Sequence, residues 1–146
     1  MNGDEAAIRT LIEERTGAMR DKDAARAVAM LAEDIVAFEL APPLALGPDS
    51  ARDEAGLAAW LSGWEGSVEI VIRDLHVEAY GSVGWSRSLN RLRGTLKDGR
   101  TVDMWMRSTL AFRKQDGAWK IVHGHSSVPF LMDGSYRAAM DLSPEV

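Results

Sequence analysis

Two histidines one residue apart, His123 and His125, lie in Ala118–Pro129, a run that reads as a β-strand. Side chains two apart on a strand share a face, and imidazoles titrate near neutral pH, where general acids and bases work. A carboxylate, Glu39, sits between Phe38 and Leu40. Apolar neighbours favour the proton-holding form of a carboxyl group, which suits a group that takes and returns a proton. Arg107 lies mid-strand between Met106 and Ser108. A guanidinium buried there needs an anion, supplied by Glu39, by Asp103 or by negative charge on a bound molecule. Two histidines and a carboxylate are also a donor set for a divalent metal. The His-x-His spacing offers no third ligand, however, and the chain has three histidines and no cysteine. The expectation is therefore no metal and no cofactor.

These residues must be positioned by helices at the front of the chain and strands behind them. Asp4 is placed to cap a helix whose stripe is Ile8, Leu11, Ile12, Arg15 and Met19, the spacing of an amphipathic helix. The charged residues Glu13, Glu14 and Arg15 read as its solvated surface. A second helix follows Asp23, and Ile35–Leu40 reads as a strand ended by Pro42 and Pro43. Asp49 or Ser50 caps a third helix carrying Leu57, Trp60, Leu61 and Trp64 on one face. Four strand-like runs then follow, Val68–Tyr80, Val83–Leu96, Arg100–Lys114 and Ala118–Pro129, punctuated by Gly81-Ser82, Asp98-Gly99 and Asp116-Gly117. Asp-Gly is a strong hairpin signal because both residues tolerate positive φ. Helices followed by a run of strands indicate an α+β architecture in one domain over residues 1–146.

Register decides which side chains meet. A two-residue turn at Asp98-Gly99 sets Asn90 opposite Arg107, Leu92 opposite Trp105 and Ser88 opposite Thr109. The face bearing Asn90, Trp105, Arg107 and Thr109 then reads as concave, and the face bearing Arg87, Leu89, Arg91, Met104, Met106 and Leu110 as the outer surface of a homodimer. A three-residue loop at Asp116-Gly117 adds His123, His125 and Ser127 to the concave set, whereas a two-residue loop flips them all. On this reading Glu39, Arg107 and His125 are the catalytic candidates. Trp60, Asn90, Trp105, Thr109, His123 and Ser127 are the binding candidates, with aromatic walls suited to a planar apolar ligand.

Acidic residues outnumber basic ones, 22 to 17, giving a net charge of -5. That argues against nucleic acid, whose phosphates select basic faces. No apolar run approaches the roughly 20 residues that span a bilayer, and the amino terminus lacks the basic and apolar regions of a signal peptide. The expectation is a cytoplasmic protein without a membrane partner.

The segments Phe38–Leu44, Gly47, the helix with Trp60, Met104–Thr109, Lys114–Phe130 and Met132-Asp133-Gly134 resemble the SnoaL-like, ketosteroid-isomerase-like branch of the nuclear-transport-factor-2-like superfamily, from about Asp4 to Leu142. Glu39 stands where that branch more often carries aspartate. The resemblance implies a cone-shaped, cystatin-like roll: a curved antiparallel sheet wrapped around three helices, enclosing a pocket, often as a homodimer. The superfamily it points to includes ketosteroid isomerase, polyketide cyclases, dehydratases, epoxide hydrolases and pure binding modules; with the candidate residues above, the leading expectation is a cofactor-free isomerase, cyclase or lyase acting on a small, mostly apolar carbonyl compound. A non-catalytic binding module with Glu39 tied to Arg107, or a metalloenzyme using His123 and His125, are the competing readings.

Overall fold

The computed structural model describes residues 2–144. Met1, Glu145 and Val146, part of the expected 1–146 domain, lie outside the described residues. Helices α1 (Gly3–Arg20), α2 (Ala24–Ala29), α3 (Pro48–Ala51) and α4 (Glu54–Ser62) precede or flank strands β1 (Leu31–Phe38), β2 (Trp64–Tyr80), β3 (Val83–Leu96), β4 (Thr101–Gln115) and β5 (Ala118–Ser127). The four later strands form an antiparallel meander. β1 adds to β5 in parallel, giving the order β1-β5-β4-β3-β2 in a curved sheet that does not close.

Local chemistry explains where the helices begin. Asn2, not Asp4, caps α1 by accepting the Glu5 N–H at 2.7 Å. Asp4 instead accepts from Lys114 Nζ at 3.1 Å and Trp119 Nε1 at 3.2 Å, tying the helix start to the β4–β5 hairpin. Asp23 caps α2 as its sequence position implies. The expected third helix breaks at Arg52 and restarts when Asp53 accepts the Gly56 N–H at 3.0 Å.

α1 packs its stripe on the concave side of the sheet. Ile8 and Ile12 join Ile35, Val77, Ala79, Phe112, Trp119 and Ile121 in one core cluster, while Ala24, Leu61, Trp64 and Val68 form another. Gly94 lets Trp64 lie flat on β3, since a Cβ there would come within 2.8 Å of the indole.

The two Asp-Gly hairpins differ from the expected pair of loops. At Asp98-Gly99 the loop has three residues: Gly99 N–H bonds to Leu96 O and Leu96 N–H to Arg100 O, both at 2.8 Å, and Gly99 adopts φ +90°. At Asp116-Gly117 the loop has two residues, both at positive φ, between paired Gln115 and Ala118. One further residue, Val122, bulges from β5, because Phe112 pairs with Ile121 while Ala111 pairs with His123. Asn90 therefore faces Met106, and Ser88 faces Ser108. The single-residue offset turns over every expected assignment between β3 and β4. Met104, Met106 and Leu110 belong to the concave face, not to the outer one.

The convex face is held by exposed ion pairs. Arg113 bonds both carboxylate oxygens of Asp34 at 3.2 Å, linking β4 to β1, and this bonding holds the Asp34 carboxyl below the usual aspartate range. A folded value below the unfolded one stabilises the protein above the unfolded value, and that contribution disappears as pH falls through the folded value. Wild type is therefore expected to melt above Asp34→Asn at neutral pH, with the gap closing as pH drops below about 3.9. A gap that stays constant under acid would show that the pair contributes nothing through charge.

Candidate functional site

The inward-facing residues of the sheet are small and polar along one line. Ser88 pairs with Ser108 across β3 and β4, and Ser108 pairs with Ser126 across β4 and β5, so three neighbouring strands present a row of hydroxyls. Ser86 and Asn90 flank it on β3. The Ser88 hydroxyl donates to Asn90 Oδ1 at 2.7 Å, leaving the Asn90 amide hydrogens to donate elsewhere. Small side chains on the sheet leave a gap under α1, and the gap is a cavity of about 430 Å³, within the roughly 300–1,000 Å³ typical of small-molecule sites. Its remaining walls are largely apolar: Ile12 and Met19 from α1, Ile35 from β1, Ile70 and Ile72 from β2, Leu110 from β4 and Trp60 from α4. Trp60 stacks edge-on against Trp64, 5.5 Å between ring centres.

Two opposite charges meet the cavity. Glu39 follows the last residue of β1, and the alternation that buries Ile35 and Ala37 carries it to the cavity rim. Arg15 reaches in from α1, one turn beyond Ile12. Its Nε is sealed from solvent without a hydrogen-bond partner, and among the described residues no carboxylate lies within ion-pair distance of its guanidinium. Burial pushes Arg15 below the usual arginine range, and the charge of Glu39 acts against that shift. Arg91 also borders the cavity, but its guanidinium turns outward to Asp103 through two bonds of 2.8 Å. A recess of about 330 Å³ lies beside the main chamber and shares Arg15, Glu39 and Trp60 with it.

The structure thus brings together Glu39, Asn90 and Trp60 of the sequence-derived candidates and separates the others. Trp105, Arg107 and Thr109 lie on the opposite face of β4 from Met106 and Ser108. Arg107 donates from Nε to Ser127 Oγ at 3.1 Å. Thr109 pairs with His125, and the His123 ring nitrogen Nδ1 lies 2.6 Å from Val36 O. Phe38 stands edge-on to both imidazoles, at 4.7 Å and 5.4 Å. Arg107, Thr109, His123, His125 and Ser127 do share a face, but it is the convex one, so they are corrected as cavity residues. Neither the ion pair of Arg107 with Glu39 nor a histidine near the cavity is present among the described residues. No cluster of three or more potential metal ligands occurs among them either.

The residues missed were Arg15, Ser88 and Ser108. Arg15 had a legible signal. It occupies the Ile8, Ile12, Met19 stripe, where a charged residue points into the protein rather than away from it.

Residues 8–131 match the SnoaL-like domain. The chain belongs to the SnoaL-like family. No curated protein matches its sequence. Among solved structures, this SnoaL-like chain is similar to a nuclear-transport-factor-2-like protein of unknown function from Pseudomonas putida, with 32% identity, 97% of this chain and 96% of that chain covered, and a TM-score of 0.83. It shares its fold with a candidate ketosteroid isomerase from Shewanella frigidimarina at 23% identity, covering 86% and 98% of the two chains, TM-score 0.67. It also shares the fold with a candidate scytalone dehydratase from Novosphingobium aromaticivorans at 14% identity, covering 98% and 95%, TM-score 0.76. In the SnoaL-like chain no helix is long and apolar enough to cross a membrane.

Proposed function

We propose that the cavity is the active site of a cofactor-free acid–base enzyme of the isomerase, cyclase or lyase type, acting on a small, mostly apolar carbonyl compound. The observation that carries this reading is one carboxylate, Glu39, at the rim of an apolar chamber with a row of hydrogen-bond donors opposite, and in no ion pair among the described residues. Structures of the same fold named as an isomerase and a dehydratase support the class of chemistry and no more. Glu39 removes a proton from the carbon next to the carbonyl. The C–H electron pair moves into the new C=C bond, and the carbonyl π electrons move onto oxygen, where the Asn90 amide and the Ser108 hydroxyl donate to the developing charge. The protonated Glu39 then returns its proton, either to another carbon, which isomerises the substrate, or to a departing β-hydroxyl, which leaves as water.

The test is deuterium uptake at the α-carbon of β-tetralone, a neutral two-ring ketone, followed by mass spectrometry. Wild type is expected to accelerate exchange. Ser108→Leu, which fills the middle of the hydroxyl row, is expected to abolish the acceleration while leaving the melting temperature near that of wild type. Exchange at the background rate with wild type would favour the binding-module reading.

The same reading includes a homodimer, now through a revised convex face. Val36 and Phe38 on β1 and Val71 on β2, toward opposite edges of that face, are each more than a third exposed, with the Arg91–Asp103 and Arg93–Glu69 pairs beside Val71, and a face that mixes apolar and paired charged groups suits an interface. Light scattering at micromolar concentration should return twice the chain mass. A monomer mass would remove the homodimer from the account.

A further inference from the structure

Arg15 has no role in the proton transfer just described, yet it lines the cavity with its Nε buried and without a hydrogen-bond partner. A guanidinium whose Nε is sealed from water, with no hydrogen-bond partner and no contact anion, is destabilising unless something completes it. Around it α1 offers the apolar neighbours Ile12 and Met19, β1 offers Glu39 at a distance, the sheet offers hydroxyls, and the adjoining recess holds Ser50 and Asp53, with Asp53 not in ion-pair contact among the described residues. Hydroxyls solvate a cation weakly, and Glu39 on the rim interacts with Arg15 only through space. The group still missing is an anion inside the chamber, within reach of the buried Nε.

We propose that the ligand of this cavity carries a carboxylate and that Arg15 is the group that binds it. This inference rests on the cavity being the substrate site. A planar guanidinium presents parallel donors that match the two oxygens of a carboxylate. One cation balances one negative charge. A phosphate monoester, with close to two, would leave excess charge beside Glu39 in an apolar chamber. The ligand class is therefore a monocarboxylic acid with an apolar ring body: the ring against Trp60, Ile70 and Ile72, the carboxylate on Arg15, and any carbonyl toward Asn90 and Ser108. Binding such a ligand relieves the cost of the empty site, so Arg15 discriminates between acids and their neutral analogues.

The experiment is calorimetric titration of naphthoate and of naphthamide, which share the two-ring body and differ in charge, into wild type, Arg15→Gln and Arg15→Lys. Wild type is expected to bind naphthoate roughly ten- to a hundredfold tighter than naphthamide, the range of a charge-assisted hydrogen bond. Arg15→Gln should lose that preference without changing naphthamide affinity, and Arg15→Lys should keep part of it. Equal affinities in wild type, binding of naphthamide alone, no binding of either, or a preference that survives Arg15→Gln would each overturn the proposal. Naphthamide binding by Arg15→Gln doubles as the check that the variant folds. Exchange of β-tetralone separates the two readings. Exchange without a carboxylate preference defeats this inference alone, whereas a carboxylate preference without exchange defeats the acid–base mechanism alone.

Discussion

Glu39→Gln is expected to slow α-proton exchange of β-tetralone by about 10²- to 10⁴-fold, the usual contribution of a positioned general base. The variant keeps the size of the side chain and one acceptor oxygen while removing its negative charge and its capacity to take a proton. Because Glu39 lies at the exposed end of β1, after its last paired residue, the substitution should leave both thermal stability and naphthamide affinity close to wild type. The informative contrast is with His125→Ala. That imidazole lies across the sheet from the cavity, against Phe38, so its loss should leave the exchange rate unchanged. A comparable fall in both variants would indicate that exchange follows integrity of the sheet rather than proton transfer at Glu39.

The largest expected effect on stability comes from Phe112→Ala. Phe112 is 1% exposed and sits in the core cluster joining α1, through Ile8 and Ile12, to β1, β2 and β5. Truncating a buried phenylalanine removes its transfer energy and leaves a cavity that close-packed neighbours fill only in part. The cost is about 3–5 kcal/mol, a large share of the 5–15 kcal/mol that holds a typical domain together. Chemical denaturation should show a much lower midpoint with an unchanged slope. A loss below about 1 kcal/mol, the central value for an ordinary substitution, would mean that the core is not centred on this ring.

The contrast between the two positions also explains what the sequence made legible. The order of helices and strands, the Asp23 cap and the stripe containing Ile8 and Ile12 follow from local periodicity and capping chemistry, both written in short windows. Glu39, Asn90 and Trp60 reach the cavity for equally local reasons: alternation along β1 and β3, and the apolar side of α4. The face of β4 was different. It depends on whether Asp98-Gly99 closes a loop of two residues or three, and the same dipeptide closes both kinds in this chain. At Asp98 the side chain accepts from the Arg100 N–H at 3.0 Å and pairs with Arg100 Nε at 2.8 Å, supporting the longer loop. That distinction lies in the interaction of Asp98 with the residue after the glycine, not in the turn dipeptide. One residue of slip then moved Trp105, Arg107, Thr109, His123, His125 and Ser127 from the inside to the outside together. It brought Ser108 and Met106 inward in their place. Arg15 was lost for a separate reason, since charge took precedence over its position on the helix.

On the proposed reading, ligands bind on the concave side of the sheet, under α1, and not on the histidine-bearing face. Titrating naphthamide into nitrogen-15-labelled protein and following backbone amide shifts tests this most directly. The amides of Thr16, Asn90, Ser108 and Gly124, whose residues line the cavity, are expected to move in a saturable, concentration-dependent way, while Leu89, Arg93 and Val71 on the far side stay near their free positions. Saturable shifts centred on Phe38, Trp105, Arg107, His123 and His125, with the cavity residues still, would contradict the assignment and move the site to the convex face.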